Sequence, residues 1–134
     1  MSIIYNFSDK HIKQLIQLYK NIGWGERSVE DVLNCIHGSQ LCVGILDNNN
    51  NLIGFTRIIS DFIYKALILD VMVNAEYRGS GLGQKLMSTV KGHEKLKNVK
   101  HFELYCFSDL EPFYTNFGFS ADIDGIRLMR FINT

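Results

Sequence analysis

A chain of 134 residues with 46% apolar residues and a single proline is long enough for about one globular domain, and a second has no room. Fourteen basic and fourteen acidic residues cancel, and no Lys or Arg run forms, so the footprint of a nucleic-acid-binding protein is missing. Three cysteines without CxxC spacing argue for buried thiols in a reducing compartment, and no basic leader or apolar run of about 18 residues is visible, so no membrane span is expected and the cytoplasm is the expected location.

In chain order, a short strand is predicted over 3–7. A helix follows that Ser8 or Asp9 would cap, with Ile12, Leu15, Ile16, Tyr19 and Ile22 at helical spacing and Gly23 as its stop. Ser28 opens a second helix, in which Glu30 and Asp31 suit the positive dipole end and Val29, Val32, Leu33 and Ile36 supply an apolar face. Residues 41–46 and 52–59 read as a hairpin around the turn-forming tract Asp47 to Asn51. The stretch "ALILDVMV", 66–73, reads as a strand buried on both faces and interrupted by one charge, Asp70, which simple alternation places on the face of Ile68 and Met72.

After a glycine-rich segment comes a helix carrying Leu82, Leu86, Val90 and His93 on one stripe, then a strand over 101–107. The crossover helix makes strands 66–73 and 101–107 parallel neighbours. A short helix over 110–117, with Pro112 in its first turn, ends at Gly118, and "FSADIDGIRLMRF" is expected to close the chain as a hairpin.

The segment "EYRGSGLGQKLM" holds Gly79, Gly81 and Gly83 between a strand and a helix. That arrangement points unsatisfied backbone N–H groups at an anion, and glycine lets the backbone approach it closely. It is not a P-loop, since no Lys follows the last glycine. It also departs from a dinucleotide fingerprint, because it reads GxGxG and follows the fourth predicted strand. A tight turn packed by glycines is the purely structural alternative.

"VMVNAEYRGSGLGQKLM" resembles the acyl-CoA-binding motif of the GNAT superfamily of N-acetyltransferases, carried here by Arg78, Gly81 and Gly83. "FYTNFGF", 113–119, resembles the family's Phe-Tyr-three-residues-Gly-Phe signature. The two motifs and the element order span essentially the whole chain, read as one domain over 1–134. The resemblance implies an α/β fold: a mixed, mostly antiparallel sheet of six to seven strands with a central parallel pair and about four helices.

It further implies acetyl-CoA as co-substrate, its pyrophosphate held by backbone amides of Arg78, Gly79, Ser80, Gly81, Leu82, Gly83 and Gln84. Its pantetheine amides would pair with Val71, Met72 and Val73 as an added strand. An oxyanion-stabilising N–H is expected near Met72 or Val73. The sequence departs from the family pattern at Ala75, where Pro is frequent, and at Phe107, where an Asn is frequent and would have reached the pantetheine arm.

Acyl transfer to an amine needs a neutral nitrogen, a stabilised oxyanion and a proton for the leaving thiolate. By resemblance Tyr114 fills the last role, its alternative being a core aromatic beside Phe113 and Phe117. Asp70 is the candidate base, its alternative a hydrogen-bonded structural carboxylate, with Glu103 as runner-up. The four histidines lack metal-ligand spacing, so no metal is implied.

Trp24, Phe62, Tyr64 and Tyr105 could line an acceptor pocket, which favours a small-molecule amine. A protein amine, a non-catalytic acyl-CoA sensor and a purely structural module are the competing functions. The terminal strand ending at Phe131 suits either a homodimer contact or a monomer's edge strand.

Overall fold

The structure, a computed structural model, describes all 134 residues. In chain order it contains β1 (Ser2–Ile4), α1 (Asp9–Asn21), α2 (Val29–His37), β2 (Leu41–Leu46), β3 (Leu52–Ser60), β4 (Lys65–Val73), α3 (Leu82–Lys91), β5 (His101–Glu103) and α4 (Glu111–Thr115). Short 3-10 turns occupy Ala75–Tyr77, Glu94–Leu96 and Ser108–Leu110.

The helices start where their caps dictate. Ser8 Oγ accepts from the His11 amide and His11 Nδ1 accepts from the Ser8 amide, each at 3.3 Å, so two orphan donors are satisfied at once. Ser28 Oγ accepts from the Asp31 amide at 3.1 Å, while Glu30 and Asp31 sit in the first turn of α2.

The sheet has the order β1-β2-β3-β4-β5, antiparallel throughout except for the parallel pair β4–β5. The expected α/β class and the parallel pair are therefore present, but with five strands instead of six or seven. Two cores flank the sheet. Leu82, Leu86, Met87 and Val90 of α3 pack on Val43, Ile45, Ile58 and Ile68. On the other face Ile12, Leu15, Leu18 and Tyr19 of α1 and Val32 of α2 pack on Cys42, Phe55 and Met72.

The missing strands have a physical reason. Asp124 and Gly125 both have positive φ, 59° and 79°, and the Ile126 amide donates to the Ile123 carbonyl at 3.2 Å, the signature of a type I′ hairpin turn. The turn forms without its ladder. Residues 120–134 are exposed throughout and form no strand. The strand expected over 101–107 stops at Glu103, because beyond it β4 no longer runs alongside and nothing covers the outer edge.

Candidate active site

β3 and β4 pair Phe55 with Met72 and Arg57 with Leu69, so Thr56 faces two residues, Asp70 and Val71. This is a β-bulge, and Asp70 takes the left-handed conformation it requires, with φ 55°. Asp tolerates that region better than most residues, which accounts for the charge inside an apolar strand. Thr56 Oγ1 donates to the Leu69 carbonyl at 2.8 Å and holds the bulge from the opposite strand.

The extra residue overturns the expected alternation. Ile68 packs in the α3-side core with Val71 and Val73, whereas Met72 packs on the α1 side. Asp70 turns to the α1 side, where its Oδ2 accepts from Tyr19 Oη and from Arg57 Nε, both at 2.6 Å. The Arg57 and Asp70 side chains are 16% and 12% exposed, so the pair is largely withdrawn from water. Arg57 Nη1 also reaches Ser39 Oγ at 3.4 Å, and the Arg27 guanidinium lies 3.9 Å above the Tyr19 ring. Burial, reinforced by the bond to Asp70, pushes the Tyr19 phenol well above its usual range.

β4 pairs with β5 only through Lys65, Ala66 and Leu67. From Ile68 to Val73 the edge of β4 opposite β3 has no neighbour, which is the geometry an extended amide-bearing ligand needs to add as a strand. Val71, Met72 and Val73 all lie on this open stretch.

At its far end lies the glycine segment. Gly79 and Gly81 have φ of 80° and 86°, and a Cβ on Gly79 would meet nothing within 4 Å. Gly81 is the N-cap of α3. The Arg78 and Ser80 amides bond the Ala75 and Tyr77 carbonyls at 3.3 Å, and the Lys85 amide bonds Gly81 at 3.0 Å. The amides of Gly79, Gly81, Leu82, Gly83 and Gln84 are left without backbone partners, so the loop and the first helical turn form an open cradle that suits a diphosphate.

Gly83 has a different role, because a Cβ there would lie 3.0 Å from Phe113 Cζ. Its missing side chain lets α4 lie against α3. Phe113 in turn meets the Tyr114 and Phe117 rings edge-on at 5.0 and 5.3 Å.

Tyr114 is 8% exposed and belongs to the α3-side core, against which Val71 and Val73 also pack. Burial, with a smaller contribution from Cys106, pushes its phenol up to about 12. Its hydroxyl makes no hydrogen bond to the protein, yet no buried polar side-chain atom in the chain lacks a partner, so the hydroxyl retains contact with solvent. Tyr114 and Asp70 thus lie on opposite faces of the sheet.

Other expected residues lie apart. Glu103 forms an exposed ion pair with Lys65 at the closed end of the β4–β5 pair. Trp24 packs on Tyr19 at 6.1 Å, Tyr64 lies under Lys100, Tyr105 lies under Arg130, and Phe62 packs on the α3-side core. No two of these four aromatics stack on each other, and each has a different partner. An open hollow of about 470 Å³ lined by Arg27, Asp31, Asn34 and Cys35 lies beside Tyr19. Sequence reasoning placed Tyr19 on an apolar helical face, and nothing in the spacing connected it or Arg57 to Asp70. No group of three or more His, Cys, Asp or Glu side chains gathers as a metal site.

The sequence matches the acetyltransferase (GNAT) domain family over residues 38–121. The chain belongs to this family. The GNAT domain is 30% identical to the uncharacterized N-acetyltransferase ycf52 of Pyropia yezoensis over 131 residues, 94% of this chain and 75% of that protein. Its fold is that of SA2161 from meticillin-resistant Staphylococcus aureus, with a TM-score of 0.83, 20% identity and 98% of each chain covered. An aminoglycoside 6'-N-acetyltransferase solved with coenzyme A superposes with a TM-score of 0.65 at 19% identity, over 78% of this chain and 61% of that one. As a GNAT member the protein is an N-acetyltransferase that draws its acetyl group from an acyl-CoA. None of its helices is long and apolar enough to cross a membrane.

Proposed function

We propose that this GNAT domain, spanning residues 1–134, transfers the acetyl group of acetyl-CoA directly to the amine of a small molecule. The reading is supported by the amide cradle of Gly79, Gly81, Leu82, Gly83 and Gln84 at the end of the unpaired edge of β4, with Tyr114 in the core on the α3 side of the same sheet. Arg78, exposed and outside any ion pair, adds positive charge beside the cradle, and the Arg78 and Ser80 backbone shapes it. Acetyl-CoA supplies an activated thioester carbonyl.

The acceptor nitrogen attacks that carbonyl carbon, the C–N bond forms, and the C–S bond breaks to release a thiolate. Tyr114, neutral at physiological pH, donates its phenol proton to the leaving thiolate and regains one from solvent, to which the acetylated nitrogen releases its surplus proton. A backbone N–H of Met72 or Val73 on the open edge receives the oxyanion. Asp70 has Oδ2 occupied by Tyr19 and Arg57 and keeps Oδ1 for the incoming ammonium, from which it removes a proton directly or through water.

The hollow bounded by Arg27, Asp31, Asn34 and Cys35 supports a small polar acceptor, since it lies on the face of the sheet that carries Asp70. Three free thiols suit a reducing location such as the cytoplasm. The unpaired C-terminal segment supports a homodimer.

Calorimetric titration with acetyl-CoA, then thiol release with polyamines, aryl-alkylamines, amino sugars, amino acids and a lysine peptide, tests this reading. Micromolar binding and turnover of a small amine are expected. Binding without any turnover would make the domain a sensor, and turnover of the peptide alone would make the acceptor a protein amine.

A further inference from the structure

The hollow beside Tyr19 holds a charge that the acetyl-transfer mechanism leaves unused. Arg27 is partly buried and takes part in none of the chain's ion pairs. The Tyr19 ring holds its guanidinium instead, at 3.9 Å. A guanidinium stacked on a ring spends its face there and keeps its edge N–H donors, the fork that a planar carboxylate accepts in two bonds.

Tyr19 joins this cation to the candidate base. Its ring lies under Arg27 and its hydroxyl donates to Asp70 Oδ2 at 2.6 Å, so a guanidinium and a carboxylate stand one phenol ring apart. Each keeps a free edge, the N–H fork on Arg27 and Oδ1 on Asp70. Arg57 already offsets the Asp70 charge, and Asp31 lies in the first turn of α2, where the positive dipole end offsets its own. Arg27 is therefore left without an anion.

We propose, resting on the acetyl-transfer reading, that the hollow beside Tyr19 binds an α-amino acid and that this is the class of amine the domain acetylates. The carboxylate of the amino acid sits on the Arg27 fork and its ammonium on Asp70 Oδ1. Two opposite charges on one carbon span the width of a phenol ring with a hydrogen bond at each end. An amine without an acid group leaves Arg27 unpaired, and a lysine side chain in a protein has no carboxylate beside its amine. A phosphorylated amine suits the hollow less well, because Asp31 shares its wall with Arg27 and repels the second charge of a phosphate. The volume of about 470 Å³ exceeds that of any single amino acid, so the side chain has room.

Two reporters read this site without acyl-CoA. Trp24, the only tryptophan, packs on Tyr19 at 6.1 Å and reports binding by fluorescence, and Cys35 in the wall reports it by its rate of alkylation with iodoacetamide, located by peptide mass. The probes are L-leucine and L-serine, each against the amine that lacks its carboxylate, 3-methylbutylamine and ethanolamine. The amino acids are expected to change Trp24 emission saturably and to slow Cys35 alkylation, with affinities at least tenfold above those of the amines. Arg27→Gln is expected to bring that ratio within about twofold of one, and Arg27→Lys to restore part of it, because an ammonium keeps the charge and loses the fork.

Equal affinity for amino acid and amine, a ratio that survives Arg27→Gln, or no response to either amino acid would overturn the proposal. Thiol release from acetyl-CoA separates this outcome from the catalytic reading. Amino-acid binding without transfer would uphold the site and overturn the acetyl-transfer reading, whereas faster transfer to the amines than to the amino acids would uphold that reading and overturn the proposed class.

Discussion

Asp70→Asn separates the electrostatic role of the bulge residue from its backbone role. Asn tolerates φ of 55° about as well as Asp, so the backbone contribution nearly cancels and the substitution removes only the charge. Arg57 is left facing a neutral amide while its side chain is 16% exposed. Breaking a fully buried pair costs about 3–5 kcal/mol, and the residual solvent contact here reduces that to about 2 kcal/mol. Asp70→Ala adds about 1 kcal/mol, because Ala lacks the polar side chain that eases the left-handed region. At about 4 °C per kcal/mol for a chain of this size, the Asn variant melts about 8 °C lower.

The single Trp24, packed on Tyr19 at 6.1 Å, reports urea unfolding by fluorescence next to the network itself. With Arg57→Met, the double-mutant cycle is expected to show coupling of about 1 kcal/mol or more. A cost below about 0.5 kcal/mol for Asp70→Asn, or equal costs for Asn and Ala, would refute the buried ion pair and the bulge strain respectively. In the same preparation, folded Asp70→Asn is expected to lose about 100-fold in kcat. Loss of less than threefold would remove Asp70 from proton transfer and leave it as a structural carboxylate.

Tyr114→Phe is expected to lower kcat at least tenfold with acetyl-CoA affinity nearly unchanged, and an unchanged kcat would end its role at the thiolate. The Tyr114 phenol rises from about 10 unfolded to about 12 folded, so the folded state holds this proton more tightly. Its contribution to stability is therefore complete below pH 10 and lost between 10 and 12, with Tyr19 acting in the same direction; alkaline titration of the wild type and of Tyr114→Phe should show the smaller loss in the variant. Gly81→Ala strains a residue at φ 86° and should weaken acetyl-CoA binding, whereas Gly83→Ala presses a Cβ to 3.0 Å from Phe113 Cζ and should act on kcat by shifting α4. Equal effects of the two on binding would show that both glycines serve the cradle. Burial pushes Cys42 up to about 11, so at pH 8 a thiol reagent should leave it unmodified until unfolding, while the exposed Cys106 reacts in the native state. Rapid native labelling of Cys42 would contradict its burial.

Much of the fold was legible in the sequence because it depends on local chemistry. Ser8 and Ser28 cap helices wherever they precede an apolar helical face, and the periodicities of α1, α2 and α3 select the side they bury. The two motifs, 78–83 and 113–119, lie within single local units, strand to helix and helix to turn, so they could be recognised before any packing was known.

What tertiary structure decided depends on register and on partners distant in the chain. One extra residue in β4 moved Asp70 and Met72 to the face opposite Ile68, and period-two reasoning has no means of locating a bulge that the pairing with Thr56 defines. Tyr19 and Arg57 meet Asp70 across 51 and 13 residues of sequence, and Gly83 is explained only by Phe113, which packs on it from α4. The part of the expected 101–107 strand beyond Glu103 and the hairpin expected over 119–131 have suitable sequences but no paired neighbour within the chain, because a strand is stabilised by its neighbour and not by its own residues alone.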